Sequence, residues 1–300
     1  MPIPWSLATI EADGQPVACL EVDRLLFRLQ PTLARAGITA NSVMDLFANW
    51  DRSLAAIELS LGSLDTEDLV QPGPLLAPLL YPGKILCAGA NYFDHLAEMG
   101  MPGAQKADQR LFFFMKPPRN AVVGEGATVH MPIGTKAFDW EVELAAVIGR
   151  RARNVSVEDA LAHVALYTVA IDFSARDHNR APETFYKLDW VAGKANDTCC
   201  PLGPRLVPAY LHADWQDVGL QLAVNGVPKQ DGRTSTMIFS IAEQISVASR
   251  IMTLDPGDVL LTGTPSGVGA PKGTFLAVGD KVDASIDGIG TLSVTIQEPR

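Results

Sequence analysis

The stretch FDWEVELAAVIG, residues 138–149, constrains the chain more than any other. It reads as a strand, with Val142, Leu144, Ala146 and Ile148 on one face. Side chains two apart in a strand point the same way. Glu141 and Glu143 therefore share the opposite face, with Ala145 and Val147 behind them. At roughly 6–7 Å and an effective dielectric near 20, two carboxylates repel by about 2–3 kcal/mol. Water at a surface removes most of that repulsion, whereas a buried pair needs a cation between its members. On these residues alone, a solvated strand face and a charged site are both open readings.

The chain has 300 residues, enough for a large core. Hydrophobic residues at 47% and charged residues at 19% are a globular balance. The net charge of −10 argues against nucleic acid and acidic membranes as partners. A small anionic substrate stays open, because a pocket can be basic on an acidic protein. The N-terminus has no basic segment followed by an apolar core, so no signal peptide is expected. No apolar run approaches the length of a membrane span. Cys19, Cys87, Cys199 and Cys200 match no zinc spacing, and reduced thiols in a cytoplasmic protein are expected.

Residues 1–70 suggest a small N-terminal domain with strands in QPVACLEVDRLLFRL. An amphipathic helix is expected in SVMDLFANWDRSLAAIELSLG, with Val43, Leu46, Phe47 and Trp50 on one face. Residues 71–83 carry Pro72, Pro74, Pro78 and Pro82, a density that excludes helix and central strand, and suggest a linker. From residue 84 to 300 short strands and turns dominate. KILCAGA reads as a strand and NYFDHLAEMG as a short helix ending at Gly100. VSVEDALAHVALY, residues 155–167, reads as a helix with Ser156 as N-cap and Asp159 three residues on. YTVAIDFSARD is a strand running into a loop, and Asn225-Gly226 marks a hairpin. The fold class expected is β-rich α+β, not alternating βαβ.

Asp172 closes the apolar strand of YTVAIDFSARD. With Glu141 and Glu143 it makes three hard oxygen donors, suited to Mg²⁺, Mn²⁺ or Ca²⁺. His95 and Glu98, at i and i+3, share a helix face and suit a carboxylate-oriented general base; a solvated contact is the plainer reading. Arg176 can hold a substrate carboxylate or pair with Asp177. Lys194 and Lys116 are ambiguous between site and surface. TGTPSGVG can present backbone N–H groups to an anion, or be a flexible turn.

Together these stretches resemble the fumarylacetoacetate hydrolase family. GANYFDHLAEMG, FFFMKPPRNAVVG, DWEVELAAVIGRRARNV, YTVAIDFSARD, GKANDTCCPLGP and DVLLTGTPSGVG occur in the family's order across about residues 82–298. The resemblance implies a mixed β-sandwich roll with a small extra N-terminal domain, usually a homodimer. It implies that Glu141, Glu143 and Asp172 bind Mg²⁺ or Mn²⁺ and that His95 with Glu98 activates water. Lys194 is implied as catalytic, and Arg176, Thr264, Tyr92 and Lys116 as substrate contacts. Ala90 departs from the basic residue that acylpyruvate-cleaving members often carry before the Asn-Tyr pair.

The function expected from the resemblance is hydrolytic carbon–carbon cleavage of a 2,4-diketo acid, such as an acylpyruvate from aromatic-compound breakdown. The alternative is decarboxylation of a β-keto acid such as oxaloacetate, or isomerisation of a 2-hydroxy-dienedioate. A reading of another class is a non-catalytic dicarboxylate-binding protein.

Overall fold

The computed structural model describes residues 3–300. The Val142–Ile148 strand lies deep inside an eleven-stranded mixed sheet. It pairs antiparallel with Val164–Ile171 on one side and with Val259–Leu261 on the other. Beyond Val164–Ile171 come Cys200–Pro208, Trp5–Ala12, Gln15–Val22 and Leu25–Arg28; beyond Val259–Leu261 come Ile85–Gly89 and Phe112–Lys116. A five-stranded sheet, built on Gly219–Val224, Lys281–Ile286 and Gly290–Gln297 with Val227–Arg233 and Thr128–His130 at its edges, packs against it. The result is a β-rich mixed sandwich roll.

Strand alternation divides the apolar residues between two cores. Val142, Leu144, Ala146 and Ile148 join Leu220, Leu222, Val282, Ala284 and Leu292 between the sheets. Ala145 and Val147, on the other face, pack with Trp5, Leu7, Leu20, Phe47 and Ile57. The central strand is thus buried on both faces, and no solvated face exists for the glutamates.

The N-terminal strands continue the large sheet, with Leu7 opposite Leu206. The proline-rich 71–83 segment is itself packed. Leu75–Leu76 pairs with Thr9 and Ile10, Ala77 and Leu79 are buried, and the Thr9 hydroxyl donates to the Pro78 carbonyl at 3.0 Å. The Asn225-Gly226 hairpin forms as expected, both residues at positive φ between Val224 and Val227.

Two expected helices come out differently. The 42–62 segment splits into a 3₁₀ turn, Val43–Asn49, and an α-helix, Trp50–Ser60, because the Asn49 side chain caps a new start by accepting from Arg52 N. Val43, Leu46, Phe47 and Trp50 are all buried nonetheless. The 155–167 helix is correct only for its first turns, Val157–Ala160 and Leu161–His163, capped by Ser156 Oγ accepting from Asp159 N at 3.1 Å. From Val164 the chain is strand, laddered to Ile148 and Pro208. Pairing on both edges outweighs a local helical pattern worth a few tenths of a kcal/mol per residue. All four cysteines are free and buried.

Candidate metal centre and active site

The antiparallel register builds the acidic cluster. Val142 faces Ile171 and Glu143 faces Ala170, so Glu141 stands opposite Asp172, whose N–H donates to the Glu141 carbonyl at 2.8 Å. Glu143, two residues on, projects to the same face. One carboxylate oxygen from each lies within 4.8 Å of the others, and all three side chains are buried. At about 5 Å and an effective dielectric of 20, each pair repels by roughly 3 kcal/mol.

Three cations answer that repulsion. Lys194 Nζ bridges Glu141 Oε2 at 2.7 Å and Asp172 Oδ2 at 2.6 Å. Arg176 Nη2 meets Glu141 Oε1 at 2.6 Å, while its Nε donates to Asp139 Oδ2 at 2.8 Å. Lys116 Nζ lies 2.8 Å from Asp172 Oδ1, outside hydrogen-bond alignment. Burial alone would raise the Glu141 acid, but Lys194 and Arg176 hold it down at about 2. Glu143 is the exception. Burial first, then Asp172 and Glu141, push its acid well above the ordinary range. Its hydrogen-bond donor is Gly263 N, 2.6 Å from Oε2.

The residues fit a hard dication. With Glu143 ionised, four carboxylates (Asp139, Glu141, Glu143, Asp172) face three cations (Lys116, Lys194, Arg176), an excess of one negative charge that a dication would offset. Asp172 Oδ1 is buried without a hydrogen bond, and every available donor atom is a carboxylate oxygen.

His95 opens onto a cavity of about 260 Å³ that Glu141, Glu143, Arg176, Lys194 and Thr264 also line. His95 Nδ1 is 2.8 Å from Glu98 Oε1, which leaves Nε2 as the ring nitrogen for chemistry. Glu98 Oε2 accepts from Gly267 N at 2.9 Å, and Asp94 Oδ2 accepts from the Ser266 hydroxyl at 2.9 Å. The glycine-rich loop is therefore clamped to the Phe93–Glu98 helix and is not a free turn. The Thr264 hydroxyl reaches the cavity wall but donates to the Val142 carbonyl at 2.8 Å.

Two expected substrate contacts need correction. Lys116 is wholly buried, and its ammonium donates to the carbonyls of Phe173, Lys194 and Cys199 at 2.9, 2.6 and 2.9 Å. All three donors are consumed, so it braces Asp172 from behind. Tyr92 is also buried, inside the core between the sheets, and is not among the residues that line the cavity.

Two residues escaped the sequence reading. Asp139 accepts from Trp140 N, Gly269 N and Ala270 N as well as Arg176. Its signal was available: Asp139, Glu141 and Glu143 are spaced by two. Gln230, on an edge strand of the smaller sheet, accepts from Val142 N and donates to Thr264 Oγ1 and the Pro265 carbonyl, locking the strand to the loop. Nothing in its local sequence marks that role.

Roll and site together define an acidic-cluster enzyme fold with a histidine–carboxylate pair beside the cluster. Residues 84–297 match the family model "Fumarylacetoacetate (FAA) hydrolase C-terminal", and the chain belongs to the fumarylacetoacetate hydrolase family. Over 221 residues it is 40% identical to the mitochondrial oxaloacetate tautomerase fahd2 of Xenopus laevis, covering 73% of this chain and 67% of that protein. The fumarylacetoacetate hydrolase of Exiguobacterium antarcticum superposes with a TM-score of 0.80 at 29% identity, covering 99% of this chain and all of that one (100%). The fumarylpyruvate hydrolase of Pseudomonas aeruginosa, solved with Mn²⁺ and pyruvate, superposes at 0.65 with 33% identity, covering 72% and 89%. Among the described residues no helix is long and apolar enough to cross a membrane.

Proposed function

We propose that this chain is a Mg²⁺- or Mn²⁺-dependent enzyme of 2-oxo acids that hydrolyses the carbon–carbon bond of a 2,4-diketo acid to pyruvate and an organic acid. The observation that carries this reading is one cavity lined by Glu141 and Glu143 of the buried carboxylate triad and by His95 of the dyad. Glu141, Glu143 and Asp172 hold the ion, which when bound supplies Lewis acidity at the 2-oxo acid head. Arg176 and Lys194 add positive charge there, and Thr264 closes the wall.

His95, oriented by Glu98, takes a proton from water at Nε2. The hydroxide adds to the C4 carbonyl. The C3–C4 bond breaks, and its electron pair stays on C3 as the pyruvate enolate. His95 returns the proton to C3, and the second product leaves as a carboxylate with net release of one proton. Dissolution of the bond, not binding alone, is what the dyad provides; a pure dicarboxylate-binding protein has no use for it.

The second reading keeps the same base but omits the water. Oxaloacetate tautomerisation, the activity named for the Xenopus relative, needs only a proton moved between carbon and oxygen. Decarboxylation and dienedioate isomerisation belong to the same group. The test is metal-stripped enzyme reloaded with Mg²⁺ or Mn²⁺ and assayed on acylpyruvates and oxaloacetate. Acid plus pyruvate supports hydrolysis; enol–keto exchange alone, or CO₂ release, replaces it with the second reading. A homodimer in a reducing, cytoplasmic setting is part of the proposal, and light scattering on the purified protein tests the dimer.

A further inference from the structure

The cavity has two unlike ends. Its inner end is the charged cluster. Its outer wall is apolar: Met99, Met101, Phe112, Phe114, Leu188 and Trp190 line it. Trp190 stacks on Phe114 with centroids 5.1 Å apart and tilts against Phe112 at 5.5 Å. The short helix Trp190–Lys194 sets the wall and the charge on one face, because i and i+4 are neighbours. Lys194 Nζ sits 5.0 Å over the Phe114 ring, so the aromatic wall begins where the charged centre ends. Gly89 lets this happen. A Cβ there would lie 2.1 Å from the Phe112 ring, so the ring rests on bare backbone.

This wall is unusually open. Met99, Met101, Phe112, Leu188 and Trp190 are 37–50% exposed, a clustered apolar rim around a polar centre. Two further polar residues, Asn179 and Arg180, also line the cavity. Asn179 is already occupied, donating to the Asp189 carbonyl and packing on Gly193. Arg180 is exposed at the mouth and makes no ion pair among the described residues. An exposed ion pair changes affinity by about fivefold or less. Burying a ring or short chain is worth roughly 10- to 100-fold.

We infer that the substrate carries a flat or extended apolar group, aromatic or aliphatic, on the acyl side of its 2-oxo acid head. The inference rests on the proposed 2-oxo acid reading of the inner end. A compact dicarboxylate such as oxaloacetate leaves the Phe112–Trp190 wall uncovered, and a second carboxylate gains only Arg180 at the solvent edge.

Calorimetric binding to the Mn²⁺-loaded enzyme separates the two ends, using oxalate, pyruvate, 2-oxohexanoate, phenylpyruvate and 2-oxoadipate. Phenylpyruvate and 2-oxohexanoate are expected to bind at least about tenfold tighter than pyruvate. Trp190→Ala and, separately, Phe112→Leu should shrink the phenylpyruvate-to-pyruvate affinity ratio toward one. Equal affinity for tailed and tailless acids, with oxalate still bound, overturns the apolar-tail inference alone. So does a preference for 2-oxoadipate that Arg180→Ala removes. If neither oxalate nor pyruvate binds, the 2-oxo acid reading falls and the tail goes with it.

Discussion

Asp172 stands directly across the antiparallel ladder from Glu141, its N–H bonded to the Glu141 carbonyl at 2.8 Å. That pairing converts two glutamates two residues apart into a three-carboxylate cluster. A one-residue slip would turn Asp172 to the other face and dismantle it. Asp172→Asn should therefore weaken Mn²⁺ binding by at least about 100-fold, since losing even an outer partner of a metal ligand costs 10- to 100-fold. Electron paramagnetic titration of Mn²⁺ reads this directly. Unchanged affinity would remove Asp172 from the ligand set.

The dyad makes a separable prediction. His95→Ala should lower kcat by about 10²–10⁴-fold while Mn²⁺ still binds, because the imidazole acts on the proton and the triad on the ion. Glu98→Gln keeps an acceptor for Gly267 N and should lose less. Retention of more than half the activity in His95→Ala would exclude it as the base.

Lys116 is a structural test. Its ammonium is enclosed by three carbonyls and Asp172, and although burial alone would lower its pKa, Asp172 holds it above the ordinary lysine value. Lys116→Met leaves Asp172 without its rear cation and should cost about 3–5 kcal/mol of stability. Urea unfolding with and without Mn²⁺ measures it. A loss under about 1 kcal/mol would mean that the cluster relaxes around the change.

Glu143 sets a pH dependence. Its acid is raised above 4.5 by burial first and then by Asp172 and Glu141. The folded protein therefore holds this proton more tightly than the unfolded chain. Its stabilising contribution is full below about pH 4.5 and declines as pH rises through the raised value. Metal-stripped protein should lose melting temperature as pH rises above about 4.5 on this account. Saturating Mn²⁺ should flatten the loss, because only the carboxylate binds the ion. Calorimetry in two buffers of different ionisation enthalpy should show proton release on Mn²⁺ binding. No release, with affinity flat across pH, would show Glu143 already ionised.

Local patterns in the sequence were enough to expose part of the site. A period of two put Glu141 and Glu143 on one face, and an i,i+3 spacing joined His95 to Glu98. Asn225-Gly226 announced its hairpin because both positions need positive φ. Each of these is a relation between neighbours in the chain, which the backbone alone enforces.

Tertiary structure decided the rest. Whether the Glu pair faced water depended on N-terminal residues such as Trp5 and Leu7 covering that face of the strand further along. Whether Asp172 met Glu141 depended on the register between two strands, Val142–Ile148 and Val164–Ile171, that a helical segment separates in the chain. Lys116 became a strut, not a substrate contact, because three carbonyls from distant segments closed on it. The chain from Val164 became strand because Val142–Ile148 pairs with one edge of it and Cys200–Pro208 with the other. Burial and pairing are sums over neighbours remote in sequence, so no window along the chain contains them.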